Sequence, residues 1–396
     1  MRYITRAVEP ILEQYLKGFP ALFLTGPRQS GKTTTLKHLF PQFRYICFDG
    51  VGIRESVLED PKGFVWSIKE ESVILDESQY VPEIFDYIKV LIDENPERNG
   101  RFILSGSNQF SLFSRISQSL AGRVGVAYLL PMDFTEIPED YRDKHIIKGG
   151  YPKIVKEKGN NWYRWFDFYI QTYIEKDIRS FLKVENLSTF KRFISLLSLN
   201  AGREVNFSNL ARDAGVSVKT VQHWLSILEA SFVVFLIPGY FSNLKKRVIK
   251  RPKLYFYDTG LLCYLLGIEL EKDFDRHPFK GAVFENYIVS ETKKIIVHLG
   301  KNVQMFYYRD DAGVEVDLLM IYKDRLGLVE VKLSHTPKAE FVRPLNKLER
   351  VLLETKLPFE IKKMAVYTGE SVRLGVAFLN YNEFLERELL KFISAG

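Results

Sequence analysis

The chain of 396 residues has only two cysteines, Cys47 and Cys263, and six scattered histidines, with no CxxC pair and no Cys/His cluster. That scarcity excludes a disulfide framework and a structural zinc site, and a reducing, cytoplasmic setting is the expectation. No apolar run reaches the roughly 18 residues of a membrane span, since even the stretch from Phe232 to Phe241 is broken by Pro238 and Gly239. A membrane partner is therefore not expected. The opening MRYITRAVEPILEQYL lacks the uninterrupted apolar stretch of a secretory leader. Internal repeats, low-complexity tracts and long Gly/Ser/Pro linkers are also missing, so the folded units are expected to pack directly on one another.

What remains is the make-up of an ordinary globular protein. At about 150 residues per domain the chain should divide into two or three units, and its 46% hydrophobic content is enough for several cores. The 56 basic against 49 acidic residues leave a formal charge of +7, which favours polyanionic partners without requiring them.

The first third alternates short β-type runs with helical stretches, the pattern of a parallel sheet covered by helices. The expected strands are ALFLTG from Ala21, YICFD from Tyr45, SVILD from Ser72, RFILSGS from Arg101 and VGVAYLL from Val124. A break follows at Gly149 to Pro152, then an aromatic segment with helical spacing whose rings suit core packing. The expected division is a first unit over 1–148, a helical connector over 149–189, a second unit over 190–268 and a third over 278–396.

Gly26-Pro27-Arg28-Gln29-Ser30-Gly31-Lys32-Thr33 has the spacing G-x-x-x-x-G-K-[ST] and lies between an apolar strand and a helical stretch. The two glycines let successive N–H groups curl around phosphates at the positive end of the next helix, and Thr34 extends that turn. Lys32 suits the β- and γ-phosphates of ATP, and the Thr33 hydroxyl suits Mg²⁺. The run VILDE ends a second strand in Asp76 and Glu77, which read as a Mg²⁺ holder and a general base for the attacking water, or as helix-capping acids. A third strand opens into Gly106-Ser107-Asn108, where Ser107 or Asn108 is either a γ-phosphate sensor or part of a plain turn. Arg115 and Arg123 are either arginine fingers toward a neighbouring subunit, Arg123 the better placed, or surface charges. A homo-oligomer follows only from the first alternative.

These motifs, together with SLAGR, GGYP, YIEKDI, KLYFYDTGLL and GAVFEN, resemble an AAA-type P-loop ATPase of a widespread, poorly characterised bacterial and archaeal family. The resemblance spans nearly the whole chain. It implies an N-terminal AAA domain and a C-terminal domain of unknown function similar to restriction endonucleases of the PD-(D/E)XK type.

In the middle, NFSNLARDAGVSVKTVQHWLSIL spaces Leu210, Ala211, Gly215, Val216, Val221, Trp224 and Leu225 as two helices around a turn, a helix-turn-helix pattern. Ser217, Lys219, Thr220, Gln222 and His223 are left on or near the exposed side of the second helix, where they suit phosphates and base edges. A β-type run follows, and the basic cluster Lys245, Lys246, Arg247, Lys250, Arg251 and Lys253 suggests a winged variant able to track a nucleic-acid backbone, with DNA the expected partner. Winged helices also dock proteins, and that alternative stays open.

At the C-terminus, Glu315-Val316-Asp317 precedes Glu330-Val331-Lys332 across two strand-like flanks. A hairpin centred between Lys323 and Asp324 sets Asp317 opposite Glu330, with Glu330 and Lys332 on one face. Asp317 and Glu330 could then hold Mg²⁺, with Lys332 orienting or deprotonating a water that attacks a phosphodiester, and Glu285 completing the site from a helix. This looks like the D…ExK motif of the restriction-endonuclease fold. The alternative is a solvated hairpin of charged neighbours, and a slip of one residue would part the two carboxylates.

The expected architecture is thus α/β: a P-loop parallel sheet, a winged-helix middle and a small restriction-endonuclease-like domain. The leading functional expectation is an ATP-hydrolysing, nucleic-acid-binding protein whose C-terminal domain cuts DNA under control of ATP. Its alternative is a nucleotide-dependent switch whose later domains bind DNA or protein without cutting.

Overall fold

In the computed structural model, which describes residues 3–107, 115–116, 118–174, 187–240, 251–354 and 359–394, the chain divides into two compact units. The first comprises Met1–Met132 with Ala230–Phe232 and Val297–Gly300, and the second comprises Asp133–Glu229, Val233–Ile296 and Lys301–Gly396.

The first unit is built on β1 (Ala21–Thr25), β2 (Arg44–Cys47), β3 (Val73–Asp76), β4 (Phe102–Gly106) and β5 (Val124–Tyr128), in the order β2-β3-β4-β1-β5. Every pairing is parallel. Strands β1, β3 and β4 are buried throughout, as continuous apolar runs require when both faces of a sheet are covered. Their alternate residues feed two cores. Phe23, Leu75 and Leu104 pack with Val57, Val65, Phe85 and Ile88 from the helices Val51–Glu59, Pro61–Ser67 and Ile84–Glu94. Leu22, Leu24, Ile74 and Ile103 pack with Leu12 and Leu36 from the helices Glu9–Gly18 and Lys32–Leu39. The period of two in the strands therefore fixes which helices lie on which face.

The second unit begins with short helices and an aromatic cluster in which Trp165 stacks on Tyr169 and Tyr151 packs on Phe166. The helices Leu187–Ser198, Phe207–Ala214 and Val218–Ala230 follow, then an antiparallel pair, β6 (Val234–Ile237) and β7 (Lys253–Phe256). Gly215 takes a φ of 74° and ends the helix Phe207–Ala214, and Ser217 Oγ accepts the Thr220 N–H at 3.0 Å to start the next. Leu210, Ala211, Val221, Trp224 and Leu225 are buried, whereas Ser217, Lys219, Gln222 and His223 are exposed.

The helix Lys280–His298 leads into a six-stranded sheet of β8 (Gln304–Arg309), β9 (Glu315–Tyr322), β10 (Arg325–Lys332), β11 (Glu360–Tyr367), β12 (Val372–Leu374) and β13 (Val376–Asn380), ordered β12-β13-β11-β10-β9-β8. β9 and β10 form the hairpin. The helix Ala339–Glu354 buries Phe341, Leu345, Leu348 and Leu352, one face at helical spacing, and Leu345, Leu348 and Leu352 pack with Val316, Leu319 and Leu328 of that hairpin. The helix Leu389–Ser394 closes the described chain. Among the described residues no helix is long and apolar enough to cross a membrane.

Candidate functional site

Two clusters of functional side chains form, one in each unit. In the first, Gly26 adopts a φ of 154° where a Cβ would run into the Leu129 carbonyl, so only glycine lets the loop pass the backbone just after β5 so closely. Gly31, at φ 98°, caps the helix Lys32–Leu39 and hands the chain from loop to helix. The Lys32 ammonium is buried and donates to the Gly26 carbonyl at 3.0 Å and the Pro27 carbonyl at 2.9 Å. Between them the loop residues Arg28, Gln29 and Ser30 curl over the strand end, with Gln29 at a φ of 65°. Thr34 is exposed.

Thr33 Oγ1 donates to Asp76 Oδ2 at 2.7 Å. The same carboxylate accepts from Tyr45 Oη at 2.8 Å, from Ser105 Oγ and from the Glu77 N–H at 3.1 Å. Burial, and then the Asp76 carboxylate, push the Tyr45 phenol above its ordinary range. Glu77 turns out of the strand at a φ of 55° and accepts from the Gln79 amide. At the same sheet end the hydroxyls of Thr25, Ser30 and Ser107 are buried without a hydrogen-bond partner among the described residues. Thr25 ends β1, Ser30 lies in the loop that follows it and Ser107 follows β4, so three polar groups stand free for a ligand at this end of the sheet.

Asn108 lies outside the described residues. Arg123 is not brought to this end of the sheet. It precedes β5, where its backbone carbonyl accepts the Ala21 N–H at the start of β1, and its guanidinium grips Asp93 at 2.5 and 3.1 Å. That pair occupies the amino-terminal edge, opposite the P-loop. Arg115 is exposed.

In the second unit the hairpin pairs Tyr322 with Arg325 through Leu318 with Val329 around Lys323-Asp324. Continued by one step, that register sets Asp317 across from Glu330. The Val331 N–H donates to Asp317 Oδ2 at 2.8 Å, and Lys332 Nζ lies 2.6 Å from Glu330 Oε1 and 3.7 Å from Asp317 Oδ2. Glu330 Oε2 is buried with no hydrogen-bond partner among the described residues. Burial, then Asp317, push the Glu330 carboxyl up to about 8. Burial opposes the charge of Lys332, but Asp317 and Glu330 outweigh it and hold the ammonium protonated above the ordinary lysine range.

Glu285, on the helix Lys280–His298, joins from the other side. Its Oε1 accepts from Tyr255 Oη at 2.8 Å and from Lys253 Nζ at 3.1 Å. Burial and Asp317 raise its carboxyl to about 7. Lys253 also reaches Glu315 Oε1 at 2.6 Å and Asp317 Oδ1 at 3.9 Å.

Sequence reasoning assigned Lys253 to a basic cluster that tracks a nucleic-acid backbone. The structure corrects this: its side chain is 3% exposed and pairs with carboxylates inside the protein. Lys245, Lys246, Arg247 and Lys250 lie outside the described residues, and Arg251 is exposed. Tyr255, Glu315, Tyr45 and Ser105 were likewise missed. The one available signal was their place in or beside the motifs, Tyr255 within KLYFYD and Glu315 two residues before Asp317.

A cleft of about 520 Å³ opens beside this cluster, lined by Lys253 and Glu315 together with Arg203, Arg251, Arg309 and Asn209 among others.

Residues 18–138 match the family model described as an AAA domain. Residues 139–272 and 280–381 match two domains of unknown function, DUF8612 and DUF4143. Two uncharacterized proteins, from Mycobacterium bovis and Mycobacterium tuberculosis, are each 29% identical to the chain over 362 residues, spanning 91% of it and 79% of their own length. The solved Walker-type ATPase PABY2304 of Pyrococcus abyssi is similar over 65% of this chain and 94% of its own, at 14% identity and a TM-score of 0.45.

Proposed function

We propose, for a chain that carries an AAA-type P-loop ATPase domain and a C-terminal DUF4143 domain, that ATP turnover controls a metal-dependent centre that cleaves nucleic acid. The observation that carries this reading is the convergence of Glu285, Asp317, Glu330 and Lys332 around the buried, unpartnered Glu330 Oε2. An orphaned carboxylate oxygen beside a second carboxylate suits a hard divalent cation, and Asp317 and Glu330 would hold it. Bound there, the ion would polarise a phosphodiester and ease ionisation of a water.

Lys332, kept protonated by its two carboxylates, suits orienting that water and neutralising charge on the phosphate rather than taking a proton. In hydrolysis the water oxygen bonds to phosphorus, one P–O ester bond breaks, and the departing sugar oxygen takes up a proton. This is the restriction-endonuclease-like reading of the C-terminal domain.

At the other centre Lys32 would grip the β- and γ-phosphates of ATP, Thr33 and Asp76 would hold Mg²⁺, and Glu77 would polarise the attacking water. The helices Phe207–Ala214 and Val218–Ala230 with the β6–β7 pair are read as a winged helix. The cleft with Arg203, Arg251 and Arg309 beside Glu315 supports DNA as the polyanion that enters.

The experiment is a cleavage assay on single-stranded, linear duplex and supercoiled DNA with Mg²⁺ or Mn²⁺, with and without ATP, for wild type, Lys332→Ala and Glu330→Gln. Cleavage lost in both variants while ATP hydrolysis persists supports the reading. No cleavage of any substrate by wild type overturns it and leaves a nucleotide-dependent switch with a silent C-terminal domain. The pairing of Lys253 with Glu285, Glu315 and Asp317 is the observation that favours that second reading.

A further inference from the structure

Lys253 is nearly inaccessible, yet it comes from β7, outside the C-terminal sheet that carries Asp317 and Glu330. Its position is fixed by backbone pairing, to Ile237 in β6 and through an isolated bridge to Glu204. The ammonium is therefore delivered to the carboxylates by a rigid strand and not by a flexible surface arm. It meets three of them at once, Glu315 Oε1 at 2.6 Å, Glu285 Oε1 at 3.1 Å and Asp317 Oδ1 at 3.9 Å. The Tyr307 ring, 5.5 Å from the ammonium, adds a π-face.

Asp317 divides the cluster. Its Oδ1 faces Lys253, and its Oδ2 faces the Val331 N–H and Lys332. On the Lys253 side the nearby oxygens of Glu285, Glu315 and Asp317 already have a cation among them. On the Lys332 side Glu330 Oε2 is buried and has no hydrogen-bond partner among the described residues. The four carboxylates Glu285, Glu315, Asp317 and Glu330 face two ammoniums, Lys253 and Lys332, with Arg309 at the half-exposed rim 3.8 Å from Glu315. With all four carboxylates ionised and the rim guanidinium left aside, this leaves two negative charges, which one divalent ion offsets.

Sites that bind two metal ions place them about 3.5–4 Å apart, one on each side of a shared carboxylate. Here Asp317 is that shared carboxylate, and one of its sides holds an ammonium. We propose that Lys253 is the built-in second cation of this cluster, so that the centre takes one divalent ion, at Asp317 and Glu330, with Glu285 and Glu315 serving Lys253 and not the ion. The inference rests on the metal-dependent reading above and adds its stoichiometry and the role of β7.

The test is Mn²⁺ binding to the full-length, nucleotide-free protein, by calorimetry and by electron paramagnetic resonance, for wild type, Glu330→Gln, Lys253→Met and Glu285→Gln. Only ions whose binding is lost in Glu330→Gln are counted to this centre. Wild type should take one, and Glu330→Gln should weaken it by more than the roughly 10–100-fold typical of an outer-shell partner. Lys253→Met should take two, with the spectrum of a coupled pair.

Should Lys253→Met not fold, wild type and Glu285→Gln still decide, since both should hold a single ion, Glu285→Gln no more than about 10–100-fold more weakly, as an outer-shell partner does. Two ions in wild type, one ion of unchanged affinity in a folded Lys253→Met, or loss of the ion in Glu285→Gln would each overturn the inference while leaving the metal-dependent reading intact. No Mn²⁺ bound by wild type would overturn both.

Discussion

Thr33 Oγ1 donates to Asp76 Oδ2 at 2.7 Å, which ties the residue after the P-loop lysine to the acid that ends β3. The two motifs are thereby held in one geometry by the chain's own side chains, and their contributions to binding and turnover should separate. Lys32→Ala removes a buried ammonium and should weaken ATP binding by about 2–5 kcal/mol, roughly 30-fold or more, in a titration with a fluorescent ATP analogue. Glu77→Gln leaves Thr33, Asp76 and Lys32 in place. It should bind ATP as wild type does and turn it over about 10²–10⁴-fold more slowly. Tight ATP binding by Lys32→Ala would remove the assignment of the site.

Glu291 offers a pH-dependent prediction away from both centres. Its side chain is 1% exposed, with Oε2 accepting the Phe134 N–H at 2.8 Å and Oε1 paired to Lys294 at 2.7 Å. Burial pushes its carboxyl from the usual 4.5 up to about 8, partly opposed by Lys294. Between those values the folded chain holds a proton that the unfolded chain has released. The stabilisation is therefore complete below pH 4.5 and is lost as pH rises through about 8, at no more than about 1.4 kcal/mol per pH unit. Thermal unfolding of Glu291→Gln should vary less across this window than wild type. Parallel curves for the two proteins would mean that Glu291 does not titrate there.

How far the sequence could be read depended on how local each signal was. The β9–β10 hairpin was legible because two apolar runs flank Lys323-Asp324 symmetrically, and the observed pairing has the same centre. The P-loop was legible because its glycines and lysine act within eight residues of chain. Lys253 was not, because its burial depends on Glu285, 32 residues away, and on two residues further still, so that a count of neighbouring charges placed it in a basic run. The Arg123–Asp93 pair is illegible for the same reason: nothing near SLAGR reveals that Asp93 faces it. Distant pairing of charges leaves no periodicity in the sequence.

The break at Gly149-Gly150 carries a stability prediction. Asp258 accepts the Gly150 N–H at 2.7 Å and the Leu261 N–H at 3.1 Å, so it both fastens this turn and caps the helix Thr259–Leu265. Gly149 sits at a φ of 77°, where a Cβ would run into that carboxylate. Gly149→Ala should therefore cost about 2–4 kcal/mol, from left-handed strain and a displaced cap together, read by denaturant unfolding. A loss below the noise of that measurement would show that the turn can relax.

Salt dependence tests whether the cleft beside Glu315 meets a nucleic-acid backbone. Arg203 and Arg251 are exposed on its wall, and each phosphate neutralised contributes about 0.7–0.9 to the slope of log affinity against log salt. Arg203→Ala with Arg251→Ala should lower that slope by about 1–2 and weaken binding equally for all sequences. Gln222→Ala and His223→Ala, on the exposed side of the helix Val218–Ala230, should instead change which sequences bind best, because base edges and not phosphates are what amide and imidazole groups distinguish. An unchanged slope in the double arginine variant would move the backbone contact off this cleft. Absence of binding even at low salt would remove nucleic acid from the function altogether, and the exposed face of Val218–Ala230 would then be a surface for protein.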